Sequence, residues 1–182
     1  QKLCRREDFS RRYDCMAGVQ GPYAHKVLID RLGLQVESLL NAEPKDDFGG
    51  GHADPNLTYA HKLCAVMGVD KEGNATETTD APPCFGAAAD GDADRNMILG
   101  RNFFCTPSDS LAVICAHADS IPFFKQQGGI RSVARSMPTS GAVDLVAKAM
   151  NLPLFETPTG WKFFGNVMDS KTLYCEEILF SS

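Results

Sequence analysis

Residues 84–100 read CFGAAADGDADRNMILG, and they carry the strongest signal in the chain. The small and apolar residues before the first aspartate predict a buried strand, and the apolar residues after the arginine predict a second strand. Between them Asp90, Asp92 and Asp94 would repel one another unless a cation lay among them. Gly91 allows a turn tight enough for the carboxylates to converge. Oxygen ligands at this density suit a hard divalent ion such as Mg²⁺.

Two other interpretations of this turn compete with a magnesium site. A calcium-binding EF-hand needs glycine at the sixth loop position and glutamate at the twelfth, but these positions hold Arg95 and Arg101. Short Asp-Gly-Asp runs are also common in solvated turns, so the motif alone leaves a metal site and a plain turn about equally open. Arg95 adds a guanidinium that can hold a phosphate oxygen. Metal and arginine together suggest phosphoryl chemistry.

Outward from this stretch, strands and helices alternate along the chain. Strands are predicted at residues 13–19, 34–40, 84–89, 96–99, 132–137, 152–156 and 172–180. Helices are predicted from Gly21-Pro22 to Gly33, from Asp54-Pro55 to Gly68, from Pro107-Ser108 along an apolar face of Leu111, Val113, Ile114 and Cys115, and at 142–150. This alternation predicts an α/β protein with substantially parallel sheet, divided near residues 106–120 into two α/β units.

Composition excludes several classes of protein. The net charge of −5 argues against nucleic acid or an anionic membrane as the main partner. No apolar run approaches the roughly 20 residues that cross a bilayer. The seven cysteines are odd in number and form no Cys-x-x-Cys pair, which disfavours a zinc site or a disulfide framework. Reduced thiols in a cytosolic protein are the preferred interpretation.

Taken together, the motifs resemble those of the phosphoglucomutases of the α-D-phosphohexomutase superfamily. The matching stretches occur in order over residues 13–177, nearly the whole chain. They are DFGG at 47–50, DPNLTYA at 54–60, residues 90–100, TPSDS at 106–110, RSMPTSG at 135–141 and ETPTGWKFFGN at 156–166. So many motifs in the same order make the resemblance highly specific.

The resemblance implies two consecutive phosphohexomutase-type α/β domains with mixed or parallel sheets. Family members have four domains. Residues 13–112 resemble the second domain with its metal-binding loop, and residues 113–182 resemble the third with its sugar-binding loop, in truncated form. Residues 1–12 are an unmatched lead-in. The expected partners of this chain are therefore the first and fourth domains of the same enzyme.

The resemblance also assigns roles to individual residues. Asp90, Asp92 and Asp94 are expected to bind Mg²⁺, and Arg95 to lie beside the phosphate of the family's phosphoserine. The residues expected to face the sugar are Thr159, Gly160 and Glu176. Lys162 on the same turn could meet a phosphate, although exposed lysines are more often solvated. Trp161 is expected to serve in packing, as buried tryptophans usually do.

Three features depart from the family pattern. The family's catalytic serine lies in a Ser-His-Asn-type loop of the first domain, and no Ser-His-Asn occurs in these 182 residues. The family's Cys-Gly-Glu-Glu-Ser-Phe-Gly loop is altered, because Cys175 runs directly into Glu176 and Glu177. Ala93 replaces a usual glycine, which costs roughly 1 kcal/mol if the backbone there needs a positive φ.

The function implied is that of a phosphoglucomutase, a cytoplasmic isomerase and intramolecular phosphotransferase of carbohydrate metabolism. It would interconvert glucose 1-phosphate and glucose 6-phosphate through a phosphoserine, with Mg²⁺ as cofactor and glucose 1,6-bisphosphate as intermediate and activator. Without a matching serine, the chain by itself is expected to be inactive. The alternative is a non-catalytic phosphoglucomutase-like binding or structural protein. Neither nucleic acid nor membrane is expected as a partner.

Overall fold

The computed structural model describes residues 6, 8–77, 81–170 and 178–181. The chain divides into two compact units, Gln1–Thr106 and Pro107–Ser182. Each unit combines helices with a sheet, as the alternating pattern predicted. In the described part of the chain no helix is long and apolar enough to span a bilayer.

The first unit contains a five-stranded sheet. Its strands are β1 (Arg11–Asp14), β2 (Leu39–Leu40), β3 (Phe85–Ala89), β4 (Asn96–Gly100) and β5 (Phe103–Cys105). Its helices are α1 (Gly21–Ala24), which continues as a π-helix over His25–Arg31, a 3₁₀ turn at Val36–Ser38, and α2 (His61–Met67). The strand order is β2-β1-β3-β4-β5. The first three strands are parallel, and β4 and β5 complete the sheet as antiparallel neighbours.

Strand order determines which loops of the first unit meet. The chain passes from β1 to β2 on one side of β1 and then crosses to β3 on the other side. Asp14 at the end of β1 pairs with Ala88 near the end of β3. Since the two strands are parallel, the loops that follow them lie side by side. Such a point, where the strand order reverses, is where open α/β sheets usually bind ligands.

Small residues in β3 allow α2 to pack closely on the sheet. The core of this unit consists of Met16, Ala60, Leu63, Cys64, Met67, Val69, Ala88, Met97 and Leu99. A Cβ atom on Gly86 would lie 2.7 Å from both Cγ and Sδ of the fully buried Met67. The run of small letters before Asp90 therefore reflects helix–sheet packing.

The second unit contains a parallel sheet in the order β7-β6-β8. Its strands are β6 (Ser132–Ser136), β7 (Leu154–Thr157) and β8 (Ile178–Ser181). Its helices are α3 (Pro107–Ala116), a 3₁₀ turn at Ala118–Ser120, α4 (Pro122–Gln126), α5 (Ala142–Ala149) and α6 (Trp161–Asp169). Its core consists of Leu111, Ala112, Cys115, Ala118, Ile130, Val133, Val143 and Ala147.

Local hydrogen bonding overrode some predictions in the first unit. The helix predicted from Asp54-Pro55 begins at His61, because the Asn56 side chain accepts the backbone N–H groups of Thr58 and Tyr59 and turns the chain first. The strand predicted at 13–19 ends at Asp14, because Met16 and Ala17 have φ values of +50° and +54° and turn the chain out of the strand. The strand predicted at 34–40 is reduced to β2 by the preceding 3₁₀ turn.

Other differences concern elements that the sequence pattern missed. Strand β5 and helices α4 and α6 were not predicted. On α3, Val113 and Ile114 are exposed rather than part of the packed face, whereas Ala112 is buried. The strand predicted at 172–180 lies partly outside the described residues, and its described part is β8.

Gly86→Ala adds one methyl group and should destabilise the first unit by about 1–3 kcal/mol, because the new Cβ would overlap buried Met67. Gly100→Ala on the neighbouring strand is the matched control. Its Cβ would meet Phe103 at an ordinary contact distance of 3.6 Å, so the expected change is within about 0.5 kcal/mol. Urea unfolding followed by far-UV circular dichroism measures both. Equal losses in the two variants would contradict this packing.

Candidate active site

The aspartate turn joins β3 to β4 and brings its three carboxylates together. Asp90 is buried at the end of β3, whereas Asp92 and Asp94 are exposed. One oxygen atom from each carboxylate lies within 4.8 Å of the other two. Backbone hydrogen bonds close the turn, from Asp90 N–H to the Arg95 carbonyl (3.2 Å) and from Ala93 N–H to the Asp90 carbonyl (3.1 Å).

Ala93 adopts the backbone conformation that makes a glycine usual at this position. Its φ is +64°, in the left-handed region, so the strain considered from the sequence is present. The cost for an alanine is roughly 1 kcal/mol. The turn therefore keeps its shape against a local backbone preference, and other contacts must hold it.

Arg95 supplies several of these contacts. Its backbone N–H donates to Asp90 Oδ1 at 3.1 Å and its Nε donates to Asp90 Oδ2 at 2.9 Å. One terminal nitrogen of the guanidinium reaches Asp54 Oδ1 at 3.3 Å. The Arg95 side chain nevertheless stays 63% exposed. Asp54, in the loop before α2, is a partner that the sequence had not assigned to this site.

The pKa values of Asp90 and Asp94 are shifted in opposite directions. Burial alone would raise the pKa of Asp90, but hydrogen bonds from the Arg95 backbone and guanidinium outweigh burial and lower that pKa. The hydrogen bond between Asp94 and Asp90, followed by repulsion from Asp92 and Asp90, raises the pKa of Asp94. Arg95 thus leaves negative charge uncompensated in the cluster. Hard oxygen donors with excess negative charge fit a divalent cation.

Neighbouring loops press directly on the aspartate turn. A Cβ on Gly18, in the loop after β1, would lie 2.5 Å from the Gly91 carbonyl oxygen, so only a glycine allows this approach. The ring of Phe48 packs against Gly91, since a Cβ atom on Gly91 would lie 3.1 Å from this ring. The glycines at these positions reflect backbone packing around the turn.

In the second unit, two of the predicted sugar-facing residues, Thr159 and Gly160, lie on the turn between β7 and α6. Thr159 is exposed, and Gly160 has a φ of +126°, a conformation that favours glycine. The exposed Lys162 places its ammonium group 5.2 Å from the centre of the Phe163 ring. Glu176 lies outside the described residues. The expectation that Trp161 serves in packing is wrong, because its side chain is 68% exposed at the first position of α6.

An ionic network around the buried Arg135 anchors the strand that leads into this turn. The guanidinium of Arg135 on β6 donates to both Asp144 carboxylate oxygens, at 2.6 and 2.8 Å, and pairs with Glu156 at 2.6 Å. Glu156 is the register partner of Arg135 on β7. The hydrogen bond from Arg135 lowers the pKa of Asp144. The network was not recognised from the sequence, because it depends on strand register.

Comparison with known proteins shows which proteins this chain resembles. The sequence profile of the family described as phosphoglucomutase/phosphomannomutase, alpha/beta/alpha domain III, matches residues 107–178. Cytoplasmic phosphoglucomutases of Populus tremula and Mesembryanthemum crystallinum are 57% and 58% identical to this chain over 171 residues, or 93% of its length. The chain is therefore similar to phosphoglucomutases over nearly its whole length. It spans 28% of the length of each of these two phosphoglucomutases.

Solved structures of phosphohexomutases share the fold. The Paramecium exocytosis-sensitive phosphoprotein parafusin, a phosphoglucomutase, is 57% identical and superposes with a TM-score of 0.81 over 93% of this chain and 28% of its own. A phosphoglucomutase/phosphomannomutase family protein from Burkholderia thailandensis is 17% identical, with a TM-score of 0.61 over 87% of this chain and 31% of its own. The α/β phosphohexomutase fold expected from the motifs is confirmed.

Removing the Arg135 guanidinium should destabilise the second unit by about 1–2 kcal/mol near neutral pH, as expected for charge-assisted bonds to partly exposed carboxylates. Because the folded pKa of Asp144 is lowered, this contribution is complete above the ordinary carboxyl pKa of about 4 and is lost as the pH falls through the folded value. Arg135→Met should therefore lose less stability on acidification than the parent chain.

Trp161 is the sole tryptophan and lies in the second unit, so its fluorescence during urea unfolding can follow this difference at several pH values. Lys148→Met removes an exposed positive charge from α5 and serves as the control. Parallel acid profiles for Arg135→Met and the parent chain would contradict the assigned network.

Proposed function

We propose that this chain is part of a phosphoglucomutase that interconverts glucose 1-phosphate and glucose 6-phosphate. The observation that carries the proposal is the aspartate cluster with its arginine at the end of β3. It occurs in a chain 57–58% identical to cytoplasmic phosphoglucomutases over 93% of its length. Cluster and relatives point to the same chemistry.

In this proposal Asp90, Asp92 and Asp94 hold Mg²⁺. When bound, the ion neutralises charge on the phosphoryl group being transferred, in a reaction where positioning and electrostatics dominate. The residues of the chain prepare the site: Arg95 fixes the Asp90 carboxylate, and the remaining exposed edge of its guanidinium holds a phosphate oxygen. Asp54 steadies the guanidinium from the other side.

The second unit would bind the sugar. Thr159 offers an exposed hydroxyl beside Gly160, whose positive φ shapes the turn at the start of α6. Lys162, two residues after Gly160, would leave the Phe163 ring to meet a phosphate of the substrate. Glu176 would contribute from the following loop. The Arg135 network supports these groups by joining the strands that carry them.

The whole reaction would need further parts of the enzyme. We propose that the first unit (Gln1–Thr106) and the second unit (Pro107–Ser182) serve as its second and third domains, and that the first and fourth domains provide the phosphoserine and bind the distal phosphate. Glucose 1,6-bisphosphate would be the intermediate, formed when the phosphoserine donates its phosphoryl group and consumed when the other phosphate returns to the serine. The protein would act in the cytoplasm, where its plant relatives are named.

A non-catalytic phosphoglucomutase-like protein is the second candidate. It is motivated by the absence of Ser-His-Asn from these 182 residues and by the left-handed Ala93 in the metal turn. Such a protein would keep the carboxylates and still bind Mg²⁺ or a sugar phosphate. High identity to phosphoglucomutases favours the enzyme over this alternative.

Magnesium titration calorimetry tests the proposed metal site in the 182-residue chain. The parent chain should bind Mg²⁺ weakly, because three carboxylates leave coordination positions to water. Asp92→Ala removes an exposed member of the cluster and should lower the affinity at least tenfold. Asp46→Ala removes an exposed carboxylate of the same unit and should leave it unchanged. Equal affinities of the parent chain and Asp92→Ala would refute the assignment.

A further inference from the structure

We infer that Gln20 is a positioning residue of the aspartate turn, whose side-chain amide fixes the backbone from which Asp90 projects. The inference rests on the proposed Mg²⁺ site, because it concerns how well that site is formed before the ion binds. Gln20 lies outside the acidic motif and outside every matching stretch identified from the sequence.

The contacts of Gln20 span the two loops that follow β1 and β3. Its side chain is buried, and Nε2 donates to the backbone carbonyls of Ala89 at 2.7 Å and Asp90 at 2.8 Å. The Cys15 carbonyl lies 3.3 Å from the same nitrogen. One amide group thus holds consecutive carbonyls on the strand end that delivers the first carboxylate.

Tyr13 fixes the orientation of that amide. Its hydroxyl donates to Gln20 Oε1 at 2.6 Å, which leaves Nε2 directed at the carbonyls. Burial raises the pKa of Tyr13, so the hydroxyl keeps its proton at neutral pH and remains a donor. The tyrosine on β1, the glutamine and the end of β3 form a continuous chain of hydrogen bonds.

Every polar group of Asp90 has a partner. Its N–H donates to the Arg95 carbonyl, its carbonyl accepts from Gln20 and from the Ala93 N–H, and its two carboxylate oxygens accept from the Arg95 N–H and Nε. A ligand residue held at its backbone and side chain alike cannot rotate away from the cluster. Groups that hold a metal ligand in this way typically change metal affinity 10–100-fold when removed.

Gln20→Met in the 182-residue chain removes the donor and nearly preserves the volume. The buried Ala89 carbonyl would lose the Gln20 donor, the Asp90 carbonyl would keep only the Ala93 N–H, and the turn would move to find new partners. We expect Mg²⁺ affinity to fall about tenfold in calorimetry. The ¹³C carbonyl resonances of Ala89 and Asp90 should shift as well. Gln35→Met, at an exposed glutamine, should change neither quantity.

Tyr13→Phe provides a second route to the same answer. It keeps the Gln20 amide but removes the bond that orients it, so affinity should fall by a smaller factor, with carbonyl shifts in the same two residues. This variant decides the matter if Gln20→Met does not fold. A folded Gln20→Met with the parent affinity would overturn the inference, whether or not the carbonyl resonances shift. If Gln20→Met does not fold, a Tyr13→Phe that matches the parent in affinity and in both resonances would overturn it.

Failure of the inference can be told apart from failure of the proposed function. If Asp92→Ala abolishes binding while folded Gln20→Met binds like the parent, Gln20 is not a positioning residue although the metal site stands. If the parent chain and Asp92→Ala bind Mg²⁺ equally, the metal site is refuted and the inference is overturned with it.

Discussion

The ion pair between Asp90 and Arg95 is the interaction on which the candidate site depends. It closes the β3–β4 turn against the strain at Ala93 and holds the one buried carboxylate of the cluster. The same arginine stays largely exposed, so it can stabilise the turn and still meet a phosphate. One side chain thus joins the stability of the turn to the chemistry proposed for it.

Each unit uses a buried side chain to tie strand ends together. Gln20 links the end of β3 to the loop after β1, and Arg135 links β6 to Glu156 on β7 and to Asp144 on α5. In both units the tied strands are parallel neighbours, and the loop after one of them, β3 or β7, carries proposed binding residues. The sheets therefore position the site through a few specific polar contacts as well as through packing.

Local features of the sequence were enough to predict the β3–turn–β4 hairpin, because small apolar residues and alternate aspartates determine its shape over a short range. The Asn56 turn was missed, since a side-chain hydrogen bond competed with the helix start suggested by Asp54-Pro55. Gln20 could not be assigned either, because it lies 70 residues from Asp90 and only the strand order brings them together. The sequence pattern does not reveal which distant strands become neighbours or in what register they pair.

A chimeric enzyme would test the central claim most directly. The 171 residues of this chain that match the Populus tremula phosphoglucomutase would replace the corresponding part of that enzyme. Formation of glucose 6-phosphate from glucose 1-phosphate would then be measured with Mg²⁺ and bisphosphate supplied. We expect turnover by the chimera, its loss on Asp92→Ala, and none from the isolated 182-residue chain. A folded chimera without activity, or one indifferent to Asp92→Ala, would contradict the account.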